Sequence, residues 1–166
     1  GWQPRAHQLA LLAQAEARRS TLLIAPTGAG KTLAGFLPSL VALHANRDQP
    51  AKASGLRTLY ISPLKALAVD IARNLLTPID EMGLDIRVET RTGDTPTSKR
   101  QRQRLRPPEI LLTTPEQLAL LLASPDAAYI FGDLDTLILD ELHALAPSKR
   151  GDLLALGGAD FLELVG

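Results

Sequence analysis

Apolar positions along the chain fall into two alternating patterns. In "RAHQLALLAQAEARR" (5–19), Leu9, Leu12 and Ala13 recur at helical spacing, and Arg18 and Arg19 complement the carboxyl end of a helix. "TLLIA" (21–25) is instead short and continuously apolar with β-branched residues, the pattern of a strand buried on both faces. The alternation then repeats. "KTLAGFLPSLVALHA" reads as a helix despite Pro38, "RTLYIS" (57–62) as a strand, "LKALAVDIARNLLTPIDEM" as an amphipathic helix and "DIRVETR" (85–91) as an alternating strand. A basic helix follows at 97–106, then the strand "EILLTT" (109–114), the helix "PEQLALLLAS" (115–124) and the strand "DTLILD" (135–140). Repeated strand, helix, strand units predict a mostly parallel sheet with helices on both faces, a three-layer α/β domain. The polar stretch "HANRDQPAKASGL" (44–56) reads as a surface loop within it. After Asp140 no further strand is predicted, because "LLALGGADFLELVG" sets Gly157 and Gly158 inside an otherwise helical pattern.

At 166 residues and 45% apolar, the chain has the length of one globular domain. Lys plus Arg balance Asp plus Glu at 18 each, so any contact with nucleic acid must be local rather than drawn by a global field. The lack of cysteine excludes a disulfide scaffold and thiolate metal sites and fits a cytoplasmic setting. Apolar runs are too short to span a bilayer and no signal-peptide pattern opens the chain, so a soluble protein without a membrane partner is expected. The first residue is Gly1 rather than Met, which points to a fragment or a processed chain.

Chemistry enters at "LLIAPTGAGKT" (22–32), where a strand breaks into glycines and a helix begins. Ligands of open α/β sheets bind beyond the carboxyl ends of the strands, where this turn sits. Gly28 and Gly30 can take positive φ and let backbone N–H groups face a phosphate. Lys31 can reach the β- and γ-phosphates of a nucleotide, Thr32 can offer its hydroxyl to Mg2+, and the helix amino end adds its dipole. Ala25 replaces the first glycine of the general pattern, and a residue so small still fits.

Hydrolysis requires further groups. Asp140 and Glu141 close the strand "DTLILD", where Asp140 would hold Mg2+ through its water shell and Glu141 would polarise the attacking water. Adjacent strand residues point to opposite faces, so both serve one site only if the strand ends at Asp140 and the chain turns. A solvated acidic pair capping a helix is the alternative.

Taken in order, "APTGAGKT", "SPLKAL", "TGD", "TTPE" and "DELH" resemble the first motor domain of superfamily 2 helicases of the DExH-box type. "SPLKALAVDIARNL", "RTGDTP" and "DELHALAPSKRGDLLAL" look more closely like the large helicase-related (Lhr) group, especially its bacterial ligase-associated branch, linked to DNA repair. The resemblance runs from about Gly1 to Leu156. It implies a RecA-like P-loop NTPase domain, Mg2+-dependent ATP hydrolysis, single-stranded DNA held across two such domains, and DNA ligase and nuclease as repair partners. By the same resemblance, Gln8 matches the glutamine that recognises adenine, with Arg5 beside it. Thr27, Gly28, Ala29, Gly30, Lys31 and Thr32 match the ATP loop, and Asp140, Glu141 and His143 match the DExH box, with His143 coupling the nucleotide state to the second domain.

The nucleic-acid motifs also have a physical reading. Ser62, Pro63 and Lys65 follow one strand and open a helix; Thr113, Thr114, Pro115 and Glu116 do the same after another, and Thr92, Gly93 and Asp94 follow a third. Helix amino ends, exposed hydroxyls and a glycine offer donors to phosphate oxygens and bind a backbone without reading bases. Singly each is an ordinary helix cap; together at one sheet edge they favour nucleic acid. "SKRQRQRLR" (98–106) holds one Lys and four Arg, a phosphate-gripping patch or, as such runs more often are, a solvated helix face. Trp2 reads as a cover for the first helix.

Nothing after Asp140 and Glu141 reads as the Ser-Ala-Thr motif that follows the DExH box in this family, or as a second RecA-like domain. The expectation is a first RecA-like domain over 1–166 with little turnover alone. A non-catalytic nucleotide- or nucleic-acid-binding module is the alternative, and a small-molecule kinase is disfavoured because such kinases need an arginine-bearing lid and do not need "DELH" beside "SPLKAL" and "TGD".

Overall fold

The computed structural model describes residues 5–24, 30–46, 48, 55–141 and, as backbone, 160–165. Its elements are α1 (Ala6–Glu16), β1 (Thr21–Ile24), α2 (Lys31–Ala45), β2 (Thr58–Ile61), α3 (Lys65–Glu81), β3 (Val88–Arg91), α4 (Thr97–Leu105), β4 (Ile110–Thr113), α5 (Pro115–Leu122), α6 (Ala127–Phe131), β5 (Thr136–Asp140) and β6 (Asp160–Val165). The strands form one six-stranded sheet in the order β1-β6-β5-β2-β4-β3. Every pairing is parallel, so all carboxyl ends emerge at one edge.

Period-two alternation divides the central strands between two cores. Tyr60, Ile110, Leu112 and Ile138 face α1, α2 and α3, where Leu11, Phe36, Leu40, Ile71 and Leu75 complete the layer. Leu59, Ile61, Leu111, Leu137 and Leu139 face Leu118 and Leu121 of α5 and Ile130 of α6. That is the expected three-layer arrangement. At the opposite edge, Glu109 accepts the Arg87 backbone N–H at 2.7 Å and its guanidinium at 2.9 Å, which fixes how β3 and β4 enter the sheet.

Three expectations are corrected. A sixth strand does follow Asp140: β6 lies between β1 and β5, with Leu23 opposite Leu164 and Ile138 opposite Leu162. The helical reading of that segment missed that Phe161, Leu162, Leu164 and Val165 also suit an extended run, and parallel partners on both sides outweigh local preference. β1 is buried on one side only, for Leu23 is buried while Ile24 is 76% exposed, as befits the outermost strand. On α1 the inward face carries Gln8 and Leu11, whereas Leu9 and Ala13 are exposed. The short helix α6, within the loop before β5, has no counterpart in the sequence reading.

Candidate functional site

The carboxyl edge of the sheet has two halves. β1 and β5 deliver the start of α2 and the Asp140–Glu141 pair, while β2, β4 and β3 deliver the loops beginning at Ser62, Thr114 and Thr92. Of the glycine-rich turn, Gly30, Lys31 and Thr32 are described; Ala25, Thr27, Gly28 and Ala29 lie outside the described residues, as do His143, Trp2 and most of the 44–56 loop.

Gly30 is the N-cap of α2 and has φ +75°, a left-handed conformation in which its carbonyl accepts the Ala34 N–H at 3.1 Å. Only a residue without Cβ takes this without strain. Lys31 and Thr32 form the first turn of α2, where backbone N–H groups lack helical partners. Gln8 is only 3% exposed. Its Oε1 accepts the Arg5 N–H at 2.8 Å, and its Nε2 lies 3.5 Å from where a Cβ on Gly30 would stand. The structure therefore brings Gln8 against the end of the loop, with the Arg5 side exposed.

β5 ends at Asp140, and Glu141 turns sharply with φ +54°. The turn required for adjacent carboxylates to serve one place is thus present. Left-handed non-glycine residues cost on the order of 1–2 kcal/mol and persist where surroundings over-determine them, commonly at functional sites. Asp140 Oδ1 accepts the Glu141 N–H at 3.0 Å, and Asp140 Oδ2 accepts the Tyr60 hydroxyl. Burial first, and then the carboxylate acceptor, pushes the Tyr60 hydroxyl far above the ordinary tyrosine range, so it is the donor in this pair.

In the other half the hydroxyl residues are not exposed donors. Ser62, Thr92, Thr113 and Thr114 are all buried. Ser62 Oγ accepts the Leu64 N–H at 3.3 Å, Thr113 Oγ1 donates to the Arg91 carbonyl at 2.8 Å, and the Thr92 N–H donates to Thr95 Oγ1 at 2.9 Å. These side chains shape the loops; what reaches the surface is Lys65, Gly93, Asp94 and Glu116, with Pro63 and Pro115 half-buried. Lys65 Nζ pairs with Asp94 across 2.5 Å, tying the loop after β2 to the loop after β3. This bond holds the exposed Asp94 carboxyl below its usual range.

The basic run proves to be neither loose nor mainly a patch. Arg100 donates to the carbonyls of Thr92 (3.2 Å), Gly93 (2.6 Å) and Thr95 (2.7 Å), so it clamps the Thr92–Gly93–Asp94 loop from behind. Arg102 pairs with Glu89 at 2.9 Å, and Arg104 pairs with Asp126. Sequence reasoning missed Arg100 and Tyr60. The signal for Tyr60 was a lone tyrosine in an otherwise aliphatic strand, since a buried phenol seeks a partner.

Among the described residues no cluster of three or more metal-ligating side chains occurs, and no helix is long and apolar enough to cross a membrane. Residues 5–160 match the DEAD/DEAH box helicase family. The chain is 46% identical over 147 residues to the Lhr helicase/probable uracil glycosylase of Mycolicibacterium smegmatis, covering 82% of this chain and 10% of that protein. It is 40% identical over 157 residues to the ATP-dependent helicase Lhr-Core of Methanothermobacter thermautotrophicus, covering 89% of this chain and 18% of that one. Among solved structures, Mycobacterium smegmatis helicase Lhr bound to single-stranded DNA and AMP-PNP superposes with a TM-score of 0.84 at 38% identity, over 98% of this chain and 22% of that one. Helicase MrfA bound to DNA and AMPPNP superposes at 0.79 and 28% identity, over 97% and 23%.

Proposed function

Because the chain belongs to the DEAD/DEAH box helicase family, we propose that it is the ATP-binding motor domain of an Lhr-type, ATP-dependent DNA helicase or translocase. It spans between a tenth and a fifth of the length of the curated relatives it matches, so the activity proposed belongs to the larger assembly. The observation that carries the reading is the division of one sheet edge: Lys31, Thr32, Asp140 and Glu141 on the β1/β5 half, and three backbone-type loops on the β2/β4/β3 half.

Lys31 and the first turn of α2, with the glycine-rich loop, bind the phosphates. Gln8, seated against Gly30, recognises adenine with Arg5 at the rim. Mg2+ fits the donor set: each Asp140 oxygen holds one protein donor and keeps lone pairs for metal-bound water, and Thr32 offers a hydroxyl. Bound there, the ion would neutralise charge developing on the phosphates. Glu141 orients and deprotonates the attacking water. Lys65, the loops at 92–94 and 114–116, and the amino ends of α3 and α5 grip a single-stranded DNA backbone without reading its bases. His143 relays the nucleotide state to a second RecA-like domain, whose arginine fingers complete hydrolysis; a finger is worth about a thousandfold or more. A cytoplasmic DNA-repair role with ligase and nuclease partners is the narrower form of this proposal.

Titration of labelled ATP and single-stranded DNA against the chain, with Lys31→Ala and Glu141→Gln, tests the reading. Lys31→Ala loses ATP binding; Glu141→Gln keeps it and, joined to a second motor domain, abolishes hydrolysis. An unchanged rate in Glu141→Gln refutes the assigned base. Robust DNA-stimulated ATPase from the 166-residue chain alone refutes the need for a second domain.

A further inference from the structure

We propose that Tyr60 is a positioning residue of the motor, whose hydroxyl fixes the orientation of the Asp140 carboxylate. The inference rests on the assignment of Asp140 to Mg2+ made above.

Three observations place Tyr60 at this point. In the parallel register of β2 and β5, Tyr60 stands opposite Ile138, so Asp140, two residues further on, is its diagonal neighbour on the same face. The Tyr60 side chain is fully buried and stacks on Phe36, with ring centroids 5.4 Å apart and planes at 29°. Phe36 lies on α2, little more than one turn beyond Lys31 and Thr32. The ring is therefore wedged between the helix that begins at the phosphate loop and the strand that ends at the acidic pair. Its hydroxyl then holds one oxygen of Asp140 while the Glu141 N–H holds the other. With both oxygens engaged, the carboxylate cannot swing about its terminal torsion, which is otherwise broad and soft.

Ser62, two residues beyond Tyr60, heads the loop that leads to Lys65. The Tyr60 hydroxyl thus ties β2 to the end of β5, at the boundary between the two halves of the edge. The bland alternative is a buried tyrosine that has satisfied its hydroxyl with the nearest acceptor and affects stability alone.

The test is a Mg2+ titration of fluorescent-ATP binding by the 166-residue chain, comparing wild type, Tyr60→Phe, Asp140→Asn and the double variant. Tyr60→Phe keeps the ring and its stack on Phe36. It is expected to bind nucleotide without metal as wild type does and to need about tenfold or more Mg2+ for half-saturation, the usual effect of removing a partner that orients a metal ligand. Excess Mg2+ should restore its signal. In the Asp140→Asn background, Tyr60→Phe should add nothing. A Mg2+ curve superimposable on wild type, or additive effects in the double variant, overturns the proposal, whatever happens to the melting temperature. Wild type that binds the nucleotide without any response to Mg2+, or binding that survives Lys31→Ala, refutes the underlying reading instead and removes the proposal with it.

Discussion

Replacing Gly30 with alanine separates backbone strain from contact at the mouth of the phosphate loop. At φ +75° an added Cβ meets the left-handed penalty of about 1–2 kcal/mol. The Cβ itself finds Gln8 Nε2 at 3.5 Å, an ordinary contact, so sterics add little. Against this, alanine narrows the unfolded ensemble by about 0.4–1 kcal/mol. The net cost is about 1 kcal/mol, which for a domain of this size lowers the melting temperature by roughly 2–4 °C. Gly83, with φ +62° just beyond α3 and nothing within 4 Å of its would-be Cβ, is the internal control. Gly83→Ala should melt with Gly30→Ala, yet only Gly30→Ala should weaken ATP binding. Gly30→Asn should fall between wild type and alanine, since asparagine tolerates this region better. The assay is thermal unfolding alongside titration with a fluorescent ATP. Wild-type melting of Gly30→Ala would refute the strain reasoning, and wild-type nucleotide affinity would refute the role of the loop.

Other perturbations probe the remaining edge. Glu141→Gly should melt no lower than Glu141→Ala, because glycine relieves the left-handed backbone that alanine keeps, while hydrolysis in a complete motor is lost in both; a lower melting temperature for the glycine variant would contradict this. Arg100→Ala should speed amide exchange across 92–95 and cost about 1–2 kcal/mol, after discount for a partly exposed guanidinium that serves three carbonyls; unchanged protection there would refute the clamp. The Asp94 carboxyl should titrate by NMR below its ordinary 3.8 and return there in Lys65→Met. Because its folded value is depressed, the tie to Lys65 is complete above that ordinary value and is lost as pH falls through the lower folded one; identical titration in both proteins would exclude the ion pair. Lys65→Ala should reduce the salt slope of single-stranded DNA binding by about 0.7, and an unaltered slope would remove Lys65 from the phosphate contacts.

Strands β1 to β5 and the five longer helices were legible because the period of apolar residues changes sharply between Ile24 and Lys31, Ile61 and Lys65, and Thr113 and Pro115. Pro38 did not mislead, since the apolar stripe of α2 continues through it. What stayed hidden was what depends on partners distant in sequence. Nothing local distinguishes an exposed Ser62 or Thr114 from a buried one; burial follows from the packing of neighbouring parallel strands. Likewise, the three arginines of α4 look solvated until the 92–95 loop supplies carbonyls to Arg100, β3 supplies Glu89 to Arg102 and Asp126 pairs with Arg104. Leu9 lost its predicted inward place on α1 because the helix is rolled to set Gln8 against Gly30. There a polar residue outranks an apolar one, as expected where a site overrides the pattern.

The sixth strand changes the picture of the site more than any side chain. Had the sheet ended at Asp140, β1 would have lain beside β5, with the start of α2 and the acidic pair about one strand spacing apart, near 4.8 Å. With β6 inserted between them, the two strands stand about two spacings apart, close to 10 Å. That gap decides what fits. One spacing would press Lys31 and Thr32 against Asp140 and Glu141 and favour simple ion pairing across the edge. Two spacings leave room for a phosphate chain and its hydrated metal between a cation and helix dipole on one side and two carboxylates on the other. β2, by contrast, is directly hydrogen-bonded to β5, so Tyr60 reaches Asp140 without an intermediary. The strand order thus holds the groups proposed for the nucleotide apart while keeping the half proposed for nucleic acid in direct contact with one of them, the geometry expected if occupancy of one half is to be felt by the other.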